Sequence, residues 1–183
     1  MTSSNDNFAG RLCAVWAVVG FSWILLDAII RLGILAWRGL SSGLEPMQWL
    51  ALVLFVAFMA YSEGYRGFQT MFSPRTAARA FYLFNHPSLW SGLLAPLFCM
   101  GFFRATRRPF LVAWVGTAMI VALIISLRFV PQPWRSIVDA GVVVGLTWGL
   151  MSFLACVIST FKSGQYPVAP EVPDAAEAEA VKV

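Results

Sequence analysis

The chain has 183 residues, 59% of them hydrophobic and only 12% charged, with a mean hydropathy of +0.73. A water-soluble domain of this size carries about twice that charged fraction, which excludes an ordinary soluble globule. The formal net charge of +4 is no nucleic-acid signal, because nearly all basic residues are arginines flanking apolar runs, where membrane helices keep them.

Five apolar stretches, at about 12–37, 46–64, 88–104, 110–128 and 137–161, predict an all-α polytopic transmembrane helix bundle forming one domain over 1–163. Most have roughly the 17–25 residues that a helix needs to cross about 30 Å of hydrocarbon. Backbone groups in lipid must be satisfied within their own segment, so helices are expected rather than open strands.

The chain begins with a polar stretch, Met1 to Asn7, with no basic residue before Arg11. That start and the length of the first run fit a retained span better than a cleaved signal peptide. This span carries Asp27 and Arg31, which share a face at i,i+4 spacing. Charges near a helix centre cost about 2.5–3.5 kcal/mol on insertion scales. The pair is therefore either an internal ion pair or part of a relay or substrate-binding group.

Ser41-Ser42-Gly43 predicts a turn, and Glu45-Pro46 opens the second helix with proline in its first turn. That helix is expected to end in Ser62-Glu63-Gly64-Tyr65-Arg66-Gly67, where polarity rises and two glycines loosen the backbone. Glu63, Tyr65, Arg66 and Gln69 form a polar cluster there, either a headgroup or substrate pocket or a plain helix terminus. Beyond it, 74–84 carries Arg75 and Arg79 four apart, with Ala78, Phe81, Tyr82 and Leu83 opposite. A short basic amphipathic helix in the headgroup plane is predicted. His86, the sole histidine, precedes Pro87 and reads as a capping or interfacial residue. It becomes a general base only if Glu63 or Asp139 reaches it.

The third stretch is short and interrupted by Pro96, so it either crosses or is re-entrant, dipping in and returning to the same side. With five crossings the basic residues divide evenly. With four crossings, Arg11, Arg66, Arg75, Arg79, Arg104, Arg107, Arg108 and Lys162 oppose Arg38, Arg128 and Arg135, a clear bias. A rigid Pro131-Gln132-Pro133 loop leads into the fifth span, where Gly141, Gly145 and Gly149 make a smooth stripe for close helix approach. Internal packing is one use of the stripe and dimerisation the other. The tail, 164–183, is Pro-, Ala- and Glu-rich and is expected to be disordered.

Cys13, Cys99 and Cys156 are scattered in apolar runs, with no metal or disulfide pattern. No phosphate-loop, zinc-protease or serine-hydrolase motif occurs. The sequence implies no cofactor and no metal, and one histidine leaves little for acid–base catalysis.

Tyr61-Ser62-Glu63-Gly64-Tyr65-Arg66-Gly67-Phe68-Gln69, followed by Phe72-Ser73-Pro74-Arg75 and Pro96-Leu97-Phe98-Cys99-Met100-Gly101, resembles a group of uncharacterised bacterial membrane proteins. The resemblance covers most of the chain apart from its termini. It implies a multi-pass place in the inner membrane and no particular activity. The expected function is a non-enzymatic accessory, assembly or interaction module. Its partners would be membrane lipids and another membrane protein or a second copy, engaged through the fifth span. The alternative is a small transporter or lipid-handling protein using Asp27, Arg31, Glu63 and Arg66.

Overall fold

A computed structural model describes residues 4–173, and over that range the chain is helical. In chain order it forms α1 (Ser4–Leu40), α2 (Pro46–Met59), a π-helical segment (Ala60–Phe72), α3 (Ser73–Asn85), α4 (Leu89–Leu93), α5 (Ala95–Met100), α6 (Arg107–Leu127) and α7 (Trp134–Ser163). Four helical stretches are long and apolar enough to cross a membrane: Phe8–Leu40, Pro46–Asn85, Arg107–Leu127 and Trp134–Ser163.

The second of these departs from expectation. The polar run at 62–67 does not end the helix. It rewinds into π geometry and continues straight into α3, with the Ser73 N–H bonding the Phe68 carbonyl five residues back. Glycine loosens the backbone here as expected, but in an apolar setting a released N–H has no water to turn to, so another helical bond replaces it. The 13-residue length is unusual, since π geometry is mostly confined to single turns.

Packing follows from where small residues sit. Gly141, Gly145 and Gly149 of α7 are all buried, and they face Phe55 with Met59, Glu63, and Phe68 respectively. The glycine stripe is thus filled from within the chain. Phe55 and Phe68 are thirteen positions apart, while their partners Gly141 and Gly149 are only eight apart. The π segment absorbs the difference by winding more residues into each turn.

Helix α1 runs antiparallel to α7, with Gly39 beside Ser136 at one end and Phe21 against Phe153 higher up. Phe21, Phe72 and Phe153 meet where α1, the end of the π-helical segment and α7 converge, with ring centroids 5.4 and 4.8 Å from Phe21. The stretch predicted as a headgroup-plane helix is present as α3 but is packed inside the bundle. Ser73, Thr76, Ala77, Ala78, Arg79, Ala80, Phe81 and Leu83 are all buried. Alanines at 77, 78 and 80 let α1, α5 and α7 approach too closely for α3 to lie flat on a surface.

The 88–104 stretch forms only the five-residue α4 and six-residue α5, with no helix of spanning length. Leu94 breaks the run ahead of Pro96, and Gly101 at φ +88° closes α5. Both pieces lie against the N-terminal half of α1, where Trp16 Nε1 donates to the Leu93 carbonyl at 3.1 Å. Helix α6 stands apart, and none of its residues is buried.

The predicted tail begins differently as well. Gly164 caps α7 in the left-handed conformation. The chain then folds back, so that Val172 is 1% exposed within the cluster of Ala17, Ala80, Leu83, Ala95 and Phe98. One apolar residue in a polar stretch, plus two carbonyls described below, is enough to fix it. Residues 174–183 lie outside the described range.

Six of the eight tryptophans fall toward the two ends of the bundle, while Trp23 and Trp148 are exposed between them. Trp37, Trp49 and Trp134 sit at one end of the bundle and Trp16, Trp90 and Trp114 toward the other. Trp16 and Trp37 are twenty-one positions apart on α1, about 32 Å, which is the thickness of a hydrocarbon core.

Candidate functional site

The densest polar constellation surrounds Arg79, which is 2% exposed. Nε donates to the Phe98 carbonyl at 2.7 Å. Nη2 donates to the carbonyls of Phe103 and Arg104 at 3.0 Å each. Nη1 reaches those of Pro170 and Glu171 at 3.4 and 3.3 Å. The guanidinium also lies 4.3 Å from the centre of the Phe98 ring.

An arginine has five N–H donors, and here five carbonyls meet them, leaving none for a phosphate or substrate. Arg104 and Glu171 both have positive φ, +46° and +52°. That left-handed conformation is costly for side chains larger than glycine, and at both positions it presents the carbonyl to Arg79. The residue joins α3, the end of α5 and the returning tail; it is a structural hub. Beside it, Arg75 Nε lies 3.9 Å from the Glu171 carboxylate, a partly exposed contact.

The predicted Glu63–Arg66 cluster is divided. Three positions apart would share a face of an α-helix, but π winding turns the two away from each other. Glu63 is half-buried against Gly145, whereas Arg66 is exposed. Neither has an ion-pair or hydrogen-bond partner among the described residues. Gln69 accepts a hydrogen bond from Trp148 Nε1 at 2.8 Å, and Tyr65 stacks on Tyr61 with centroids 6.0 Å apart. Tyr65, Arg66, Gln69 and Thr70 thus face outward from the bundle, level with the middle of α7.

Asp27 and Arg31 are joined to each other, with Nε to carboxylate distances of 3.0 Å. Their side chains are 45% and 75% exposed, so the pair looks out from α1 rather than into the bundle. Asp27 lies almost midway between Trp16 and Trp37. His86 ends α3, exposed, with its ring 4.7 Å from that of Tyr82. Asp139 sits at the opposite end of the bundle, and Glu63 faces α7, so neither supports His86 as a base.

Three participants have contacts that the sequence analysis did not assign to them. Trp148 anchors Gln69 and closes over Gly64, a role hidden because the residue is simply apolar and mid-span. Glu171 supplies both a carbonyl and a carboxylate from a segment that composition marks as unstructured. Asp139, 2% exposed, lies 3.8 Å from Arg135 Nε, an i,i+4 pair that was legible. Among the described residues no three His, Cys, Asp or Glu side chains gather as a metal would require.

No protein-family model, curated protein or solved structure matches the chain.

Proposed function

We propose that this protein is a non-enzymatic membrane module that associates laterally with another membrane protein through polar side chains at mid-depth. The observation that carries this reading is the outward-facing Asp27–Arg31 pair, with Asp27 ten to eleven residues from Trp37 and Trp16 and Arg31 six residues inside Trp37. Two charges facing acyl chains there are expensive even when paired. Tyr65, Arg66, Gln69 and Thr70 face outward at comparable depth on the π segment. A polar partner surface removes the cost in both places. The glycine stripe does not serve this contact, because Phe55, Glu63 and Phe68 already fill it.

Four crossings accompany this reading, with 88–104 re-entrant and both described ends on one side. Arg11, Arg75, Arg104, Arg107, Arg108 and Lys162 then oppose Arg38, Arg128 and Arg135, which puts the first group in the cytoplasm. A place in the bacterial inner membrane rests on the resemblance of the Glu63–Gln69 and Phe72–Arg75 motifs.

Purification in mild detergent tests the association. A stoichiometric membrane protein, or a second copy, should accompany the wild type and be lost from Asp27→Leu/Arg31→Leu, whose own melting temperature stays level or rises. Equal recovery with both forms, or recovery of the wild type as a lone monomer, removes the reading. A transport reading retains one support, the Glu63 carboxylate between helices, which has no partner among the described residues. Glu63-dependent pH change in dye-loaded proteoliposomes would favour it.

A further inference from the structure

Above the convergence of Phe21 and Phe153, α1 and α7 separate and leave a groove of about 400 Å³, floored by Phe84 of α3. Val15 and Val19 of α1 form one wall, and Val157 and Phe161 of α7 the other. Among the described residues, Arg11 is the single charged one lining it. Its side chain is exposed and has no partner among the described residues. The contrast with Arg79 is direct: one guanidinium is used up by main-chain carbonyls, while the other offers its whole fork.

Depth gives the groove its direction. Trp16 marks one membrane level on α1. Val19 lies three positions inside that level and Arg11 five positions outside it, about 7 Å into the headgroup layer. The cavity is thus apolar at acyl depth and cationic at phosphate depth. Its volume of about 400 Å³ is in the range of small-ligand sites and matches the scale of part of one acyl chain. Lys162, next to Phe161, adds positive charge at the same end.

We propose that this groove is a binding site for one anionic phospholipid, an acyl chain lying between α1 and α7 and the phosphate held by Arg11. A planar guanidinium grips a phosphate through two parallel N–H···O bonds. The surrounding positive charge favours a headgroup of net negative charge over a zwitterionic one. The inference rests on this end of the bundle lying at the membrane surface, as proposed above.

The test uses full-length protein incubated with equal amounts of dioleoyl-phosphatidylglycerol and dioleoyl-phosphatidylethanolamine in detergent, read by native mass spectrometry. The wild type should retain one phosphatidylglycerol in preference to phosphatidylethanolamine. Arg11→Gln should lower that retention about tenfold, as loss of a charge-assisted pair implies. Val19→Trp, which fills the groove and leaves Arg11 in place, should abolish retention of either lipid at this site. Melting temperatures of both variants near that of the wild type exclude misfolding as the cause. Retention without headgroup preference, or equal retention by wild type and Arg11→Gln, overturns the proposal. Because thiol labelling of the loops reports the membrane topology separately, failure of the lipid site is distinguishable from failure of the membrane reading.

Discussion

Arg79 commits every donor it has to main-chain carbonyls, so replacing it removes more than a charge. A lysine keeps the charge but brings three donors from a single nitrogen, and that nitrogen cannot span five carbonyls on three segments. Arg79→Lys is expected to cost about 2–4 kcal/mol, the scale of losing two or more bonds to a charged group in a buried site. The check is a lower melting temperature in detergent, against an unchanged value for Arg66→Lys, whose side chain has no partner among the described residues. Gly145 gives a second residue-scale prediction. A Cβ there would lie 2.8 Å from Glu63 Oε2 and 3.2 Å from its Cβ. The carboxylate can swing away but the Cβ cannot, so Gly145→Ala should destabilise by about 1–3 kcal/mol through overpacking. Gly116→Ala on α6, with nothing within 4 Å of the added carbon, should be neutral in the same measurement.

Among the elements, α6 and α7 were legible because apolar length in lipid admits little besides a helix. The start of the second helix was legible as well: α2 begins at Pro46, where Glu45-Pro46 pointed, and the Glu45 N–H bonds Gln48 Oε1 at 2.9 Å there. The π segment was not legible. Rising polarity and two glycines at 62–67 are the usual marks of a helix end, and nothing in them distinguishes termination from a change of winding. Arg79 was misplaced for a related reason. Basic residues spaced four apart opposite alanines and aromatics describe a helix in the headgroup plane equally well as one laid against carbonyl-bearing loops. The tail was misread because composition averages over residues, whereas a single valine and the strained Glu171 carbonyl decide its position. Truncation after Gly164 should therefore behave as loss of a core element. It removes two acceptors of Arg79, the burial of Val172 and the Thr106 N–H bond to the Glu171 carbonyl. A drop in melting temperature larger than that of Val172→Ala alone would bear this out, and no drop would refute it.

At the scale of the whole molecule, the four long helices and the paired tryptophan levels define a slab of about 32 Å on α1. With the native cysteines replaced, single cysteines at Ser42 and Gln132 should react with a membrane-impermeant thiol reagent from one side. Cysteines at Gln165 and Arg107 should react from the other. Labelling of Arg107→Cys from the same side as Ser42→Cys would require 88–104 to cross and would overturn the four-crossing arrangement. Exposure on α6 needs no partner in this setting, since acyl chains solvate Leu111, Met119 and Ile124 as well as another helix would. Exposure of Arg66 and of the Asp27–Arg31 pair does need one, which is why the lateral contact is assigned to them.

The winding between Ala60 and Phe72 also stores spare contour length at the centre of the slab. Rewinding to ordinary α geometry, with fewer residues per turn, would lengthen the segment and push α3 outward along its axis like a piston. The Arg79 guanidinium would be carried off its anchors, because α5 is packed against α1, with Pro96 beside Gly20, and does not move with α3. Whatever stabilises or releases that coil governs, through one arginine, whether the returning tail stays docked.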